Sequence, residues 1–397
     1  MKRTKDLNYP RWAMFNFIAL NVFGVLLRYL QLYDIPLINY QFILHAHSHF
    51  AFSGWMFFSI ALLIALLCSD GKIGSHFKTI LAFTLISAYG MLASFSLQGY
   101  KPVSIGFSTL FVLVTFRFTY LVFKGDLLKY RVNATAYKLI RGGLILLCLS
   151  ALGPFALGPL AACGLKNTPY YQDAIYFYLH FQMNGFMLLA ALGLLASTIP
   201  AKLQPGNAGR WLMLFVYSTL PLYFIFTLWG KPGTGLWVLA GIGSGLNLLS
   251  WLALCIYFRR IWGGFSFLEK AALIALTIKC VLQVSICIPA IGEWTFLNRN
   301  LIIGYIHLLT LGIIMPLLIG QFTRNGFFNI VKTLVVAVRT YIFLVVGYLG
   351  LLFTQPLLTV FNIAIPYYQN LLFLCSVLFL PIGWLSLRYL KKYRPAR

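Results

Sequence analysis

Apolar positions in this chain do not alternate with polar ones on a short period; they run in unbroken blocks. Blocks long enough to cross a bilayer, roughly 20 residues each, occur near 11–33, 41–68, 77–98, 102–123, 139–163, 174–199, 211–230, 235–258, 270–292, 301–323, 333–355 and 367–390. A helix satisfies its own backbone in lipid, so each block predicts a membrane-spanning helix. The links between blocks are short, usually about 3–15 residues, with no low-complexity stretch and no soluble domain. The first block is too long for a signal-peptide core and no small-residue cleavage site follows it, so it is expected to stay in the mature protein. The predicted fold class is all-α: one polytopic transmembrane domain over 1–397, with twelve spans.

Composition sharpens this. Hydrophobic residues make up 60% of the 397 and charged residues 10%, against about 25% charged in a soluble domain. That excludes a soluble globular enzyme, and equally a disordered, collagen-like or disulfide-framework protein. The seven cysteines form no C-x-x-C pair and no C-x-x-C-H haem-attachment motif, so they read as small core residues. The net charge of +24 is not a nucleic-acid footprint. With the N-terminus cytoplasmic, 23 of the 31 basic residues fall on the cytoplasmic side, including Lys2, Arg3, Lys5, the Lys124–Arg141 loop, Arg259, Arg260, Lys391, Lys392, Arg394 and Arg397. Only Lys101, Lys166, Lys231 and Arg299 fall outside, and four lie within spans. This positive-inside bias predicts a cell (inner) membrane protein with both termini cytoplasmic and the lipid bilayer as its partner.

The histidines carry the candidate chemistry. His76 sits in a cytoplasmic loop. The other five lie on three spans that run outside to inside: His45, His47 and His49 on the second, His180 on the sixth, His307 on the tenth. His47, His180 and His307 come about six residues in, or ~9 Å deep at 1.5 Å per residue. The local sequences align as His47-x-His49, Tyr178-x-His180 and Tyr305-x-His307, each followed five residues after the second position by glycine (Gly54, Gly185, Gly312). The aligned histidines are 131 and 127 residues apart. The twelve spans therefore parse into three pseudo-repeats of four, approximately 1–138, 139–268 and 269–397. One such histidine is ordinarily an interhelical hydrogen bonder. Three at matched depth and repeat position point to function.

Imidazole suits iron, copper and zinc. On the second span His45 and His49 share a face, while His47 lies about 200° around. No acidic residue lies inside an apolar run: Asp34, Asp173 and Glu293 are expected in loops just before the marked spans. This disfavours a carboxylate-rich metal centre and a midplane carboxylate-coupled ion site, and it suits a haem held by neutral histidines. Arg28, near the outer end of the first span, either neutralises a haem propionate or snorkels to the interface. Tyr178 and Tyr305, at the position equivalent to His47, join Arg28 as candidate cofactor contacts. Lys279, near the middle of the ninth span, lines a polar path or makes an interhelical hydrogen bond.

At these residues the chain resembles the haem–copper oxidase superfamily, subunit I and the nitric oxide reductase large subunit, with twelve helices in three groups of four. His47-Ser48-His49-Phe50-Ala51-Phe52-Ser53-Gly54 is similar to the reductases' H-x-H-x-A-F-x-G motif, which in the family sits on the tenth helix. Leu44-His45-Ala46-His47 and Ile306-His307-Leu308-Leu309-Thr310-Leu311-Gly312 resemble motifs of the small NnrS-type haem–copper proteins. The resemblance implies a b-type, non-covalent haem with the second-span histidine (49, or 47) and His307 as axial ligands. It also implies His180 at a copper position and Arg28 beside a haem substituent. The seventh span, WLMLFVYSTLPLYFIF, lacks the family's copper-ligand histidine pair, and Tyr305 stands where the high-spin haem ligand would be. A complete oxygen-reducing centre cannot be assembled from this set; His45 and His47 are candidate substitute ligands to a smaller metal site with His180, and copper is left open. No embedded acid supplies the family's proton path.

The leading expectation is a haem protein, with or without copper, for electron transfer or for binding or reducing nitric oxide or oxygen. It is nearer the NnrS type than a terminal oxidase, and an electron-donor or partner subunit and a diatomic gas ligand go with it. As an enzyme it would be an oxidoreductase. Two other classes stay open: a twelve-helix secondary transporter, whose repeats ordinarily give two halves with interrupted helices of which no matched pair is visible in the sequence, and a non-enzymatic haem or copper sensor or carrier.

Overall fold

The computed structural model describes residues 8–69, 72–124, 126–200 and 208–391. The terminal cations Lys2, Arg3, Lys5, Lys392, Arg394 and Arg397 lie outside the described residues. The fold is all-α, and eleven helices among the described residues are long and apolar enough to cross a membrane, or twelve when one bent pair is counted as a span. They are α1 (Tyr9–Tyr29), α2 (Tyr40–Cys68), α3 (Ser75–Gln98), α4 (Pro102–Phe123), α5 (Ala134–Ala162), α6 (Pro169–Ser197), α7 (Gly209–Gly230), α8 (Thr234–Arg260), the bent pair α9a (Phe267–Ile286) and α9b (Pro289–Leu297), α10 (Arg299–Arg324), α11 (Lys332–Val360) and α12 (Tyr368–Arg388). This is a multi-pass membrane architecture.

Local chemistry explains where helices begin and stop. Asn39 caps α2, its side-chain oxygen accepting from Phe42 N, and Ser266 and Glu269 form a reciprocal capping box at the start of α9a. The ninth apolar block is not one straight span. It turns by 108° between α9a and α9b, because Pro289 at the start of α9b disfavours helical geometry at Ile288, which is extended at φ −79°, ψ 118°. The loop assignment for two acids is also corrected. Asp173 lies within α6, held by the Trp229 indole N–H at 2.9 Å, and Glu293 lies on α9b, paired at 2.8 Å with Lys231.

The chain divides into two compact units, one of Met1–Gly125, Leu318–Leu351 and Ile365–Arg397, the other of Asp126–Leu317 and Leu352–Ala364. In the first, α1 packs along α12, and α3 lies against both α2 and α4. Every residue of α2 from Phe58 to Leu66 is buried, which accounts for a stretch with no polar face. In the second unit, α5 packs on α6, α7 on α8, and α9a on α8 and on α10.

The three histidine-bearing spans are the most buried. In the most apolar window of each, 83% of α2, 94% of α6 and 61% of α10 is buried, against at most 50% for any other span that is a single helix. Each is also interrupted at the same point. Seven residues switch to π-helical hydrogen bonding: Ala51–Phe57 in α2, Phe181–Met187 in α6 and Leu308–Ile314 in α10. Each π segment starts one or two residues after His49, His180 or His307, and holds Gly54, Gly185 or Gly312. Each span remains one continuous helix, so these are changes of register and not the unwound, Gly/Pro-interrupted helices of transporter repeats; their recurrence follows the repeated His–Gly spacing. A π turn shifts a backbone partner by one residue and leaves carbonyls to be satisfied elsewhere. In α2 the Gly54 carbonyl accepts from the Asn16 side-chain amide of α1, whose oxygen accepts from Tyr89 of α3.

Candidate functional site

On α2 the three histidines are half-buried and point in two directions, as their spacing predicts. His45 and His49 lie on the face toward the turn between α3 and α4. The His49 ring stacks on Phe95, with centroids 4.4 Å apart and planes at 15°, and its Nε2 lies 2.7 Å from the Tyr100 hydroxyl. The His45 ring meets Tyr100 edge-on at 4.6 Å. His47 turns instead toward α1. A Cβ on Gly24 would lie 3.4 Å from its Cε1, so the glycine gives that imidazole room.

His180 is 1% exposed. Its Nε2 lies 2.8 Å from the Thr219 carbonyl, so Nε2 carries the proton and Nδ1 the lone pair. That Nδ1 is buried without a hydrogen-bond partner. Phe181, Phe226 and Tyr223 rings surround the imidazole at 4.8, 5.1 and 6.0 Å. This aromatic enclosure does not fit a macrocycle. His180 suits a small ligand or ion at most.

His307 closes the first part of α10 just before its π segment. Its Nδ1 lies 2.8 Å from the Ile303 carbonyl, which accepts the Nδ1 proton and leaves the lone pair on Nε2. A second hydrogen bond of this kind fixes tautomer and ring orientation in metal-ligating histidines. The residue is half-buried, and its donor chemistry fits an axial haem ligand.

The two tyrosines equivalent to His47 do different work. Tyr178 packs its Cβ where a side chain on Gly153 of α5 would stand, 2.9 Å from that position. Tyr305 is a junction: it donates to Asn184 Oδ1 at 3.1 Å and accepts from Gln283 Nε2 at 2.7 Å, tying α10 to α6 and α9a. Tyr305→Phe is expected to leave two buried amide groups without that partner, at about 1–3 kcal/mol each. The check is a lowered thermal midpoint in detergent, with Asn184→Ala giving little further loss in the Phe background.

Arg28 does not snorkel. It is 7% exposed, with Nε 3.1 Å from the Tyr348 hydroxyl and Nη1 2.8 Å from Gln31 Oε1, while Nη2 also reaches the Tyr348 hydroxyl. None of these partners is a carboxylate, so the donor set fits an added anionic group such as a propionate. Lys279 is also buried, within electrostatic reach of His180. Gln283, one turn along α9a, bonds Tyr305.

Among the described residues no three His, Cys, Asp or Glu side chains come together to hold a metal ion. Sequence reasoning missed Gly24, Phe95, Tyr100, Asn184 and Tyr348. Only Asn184, one residue before Gly185 of the repeated motif, carried a signal that could have found it. No protein-family model and no curated protein matches the chain.

Proposed function

We propose that this chain is a membrane-embedded, b-type haem protein that transfers electrons or binds a diatomic gas such as nitric oxide, with His307 as one axial ligand. The observation that carries the proposal is the histidine at the head of a π segment in each of the three most buried spans. π interruptions gather at functional sites, and intramembrane imidazoles are costly unless used. The His307–Ile303 hydrogen bond supports the ligand assignment, and a second imidazole would complete a low-spin centre. The aromatic enclosure of His180 argues against that residue as the second ligand. When bound, the haem supplies the redox chemistry; the protein's residues supply ligation, burial and access. With the charge bias read as orientation, the termini are cytoplasmic and the membrane is the cell (inner) membrane, where an electron donor or partner subunit would dock. Reduction of nitric oxide or oxygen, as in the haem–copper oxidoreductases, is the catalytic form of the same proposal.

Haem content tests it. Protein purified in detergent from haem-replete cells is expected to release about one non-covalent haem per chain on acid–acetone extraction, since nothing here attaches it covalently. A haem-free chain overturns the proposal. One feature favours a second reading, a secondary transporter: the 108° break between α9a and α9b, close to buried Lys279 and Gln283, resembles the interrupted helices of transporter sites.

A further inference from the structure

Gly99 and Tyr100 begin the turn that joins α3 to α4. Gly99 has φ +64°, and a Cβ there would stand 2.5 Å from the Phe42 ring of α2. Both facts require glycine, and together they press the turn onto α2 at one register. The consequence falls on the next residue. Tyr100 is laid across the face that carries His45 and His49, its hydroxyl 2.7 Å from His49 Nε2 and its ring 4.6 Å from the His45 ring. Phe95, stacked on His49, holds that imidazole still.

Two imidazoles one helical turn apart and a phenol oxygen are thus gathered on one side of α2. Tyr100 is 57% exposed and lies beyond the last residue of α3, so the phenol end of the cluster is open to the protein surface. The donor set identifies the ion's class. Without a carboxylate it does not suit magnesium or calcium, and without a thiolate or thioether it does not suit copper(I). Nitrogen with phenolate oxygen suits copper(II), which also stands highest among the divalent first-row ions.

We infer that His45, His49 and Tyr100 form a copper(II)-binding site on α2. The ion replaces the proton lying between His49 Nε2 and the Tyr100 oxygen. One Cu²⁺ enters, the phenol O–H bond breaks, one proton leaves to solvent, and no oxidation state changes. The site leaves His47 and His307 to the haem, so the two proposals hold together with His47, and not His49, as a second-span haem ligand.

The test is a titration of the chelator-treated, full-length protein in detergent with copper(II) chloride. It is followed by electron paramagnetic resonance and by visible difference absorption on the same sample. One copper(II) per chain is expected, with a phenolate-to-copper charge-transfer band. Tyr100→Phe keeps the ring packing and is expected to lose the band and to weaken binding about tenfold or more. Loss of a partner merely outside the ligand shell already costs ~10–100-fold. His45→Ala and His49→Ala are each expected to remove stoichiometric binding. Absence of copper uptake, uptake without the band, or a band that survives Tyr100→Phe would each overturn the inference.

Discussion

His307→Ala is expected to abolish the low-spin haem spectrum of the purified protein and to leave the chain folded. The hydrogen bond from Nδ1 to the Ile303 carbonyl, 2.8 Å long, spans one turn of α10 itself. It therefore holds the ring in a fixed direction with Nε2 as the lone-pair nitrogen. Removing a group that only orients a ligand costs ~10–100-fold in affinity; removing the ligand costs at least that. The side chain is half-buried and ends a helical segment rather than filling a core position, so truncation has little packing cost. His76→Ala provides the control: His76 is exposed in the first turn of α3, and its loss is expected to change nothing. Extracted haem and the reduced spectrum, compared across the two variants at matched elution volume, check the prediction. Added imidazole is expected to restore part of the spectrum in His307→Ala.

The second large effect is structural and falls on α8. A Cβ on Gly243 would lie 2.6 Å from Leu222 N, 2.6 Å from the Pro221 carbonyl carbon and 2.8 Å from its oxygen. All three are backbone atoms at the point where α7 passes Pro221 and tightens into a 3-10 helix over Tyr223–Gly230. Backbone there cannot yield as a flexible side chain does, so Gly243→Ala is expected to cost about 3 kcal/mol, the upper end for overpacking. That is a large share of a typical folding free energy of roughly 5–15 kcal/mol. Two neighbours sharpen the test. Gly241 and Gly245 lie on the same helix, and a Cβ at either would have nothing within 4 Å. Alanine at either is expected to be neutral or to stabilise by about 0.5–1 kcal/mol. Thermal unfolding in detergent separates the three variants. Equal effects at all three would mean that α8 does not pack on Pro221 as described.

Much of the fold was legible because apolarity at this scale has one structural meaning. Eleven of the twelve apolar blocks are single helices, and the spacing of His45, His47 and His49 correctly placed two on one face and one on another. Three things were not legible, each for a physical reason. Hydropathy has no direction, so the block over 270–292 read as one span although Pro289 marks a 108° turn. A π segment is a change in backbone register, invisible to a side-chain pattern except through the repeated His–Gly spacing that accompanies it. Tyr100 is 51 residues from His49, and only the left-handed turn at Gly99, pressed on Phe42, brings them together. The loop assignment of Asp173 failed for a smaller reason: α6 begins at Pro169, which is well placed to open a helix, before the apolar run starts.

The most direct measurement is the optical spectrum of the detergent-purified protein, oxidised and then reduced with dithionite, with iron assayed on the same sample. Sharp low-spin bands on reduction, with about one iron per chain for a single haem held by two imidazoles, are the result the account predicts. A colourless, iron-free protein from haem-replete cells would contradict it.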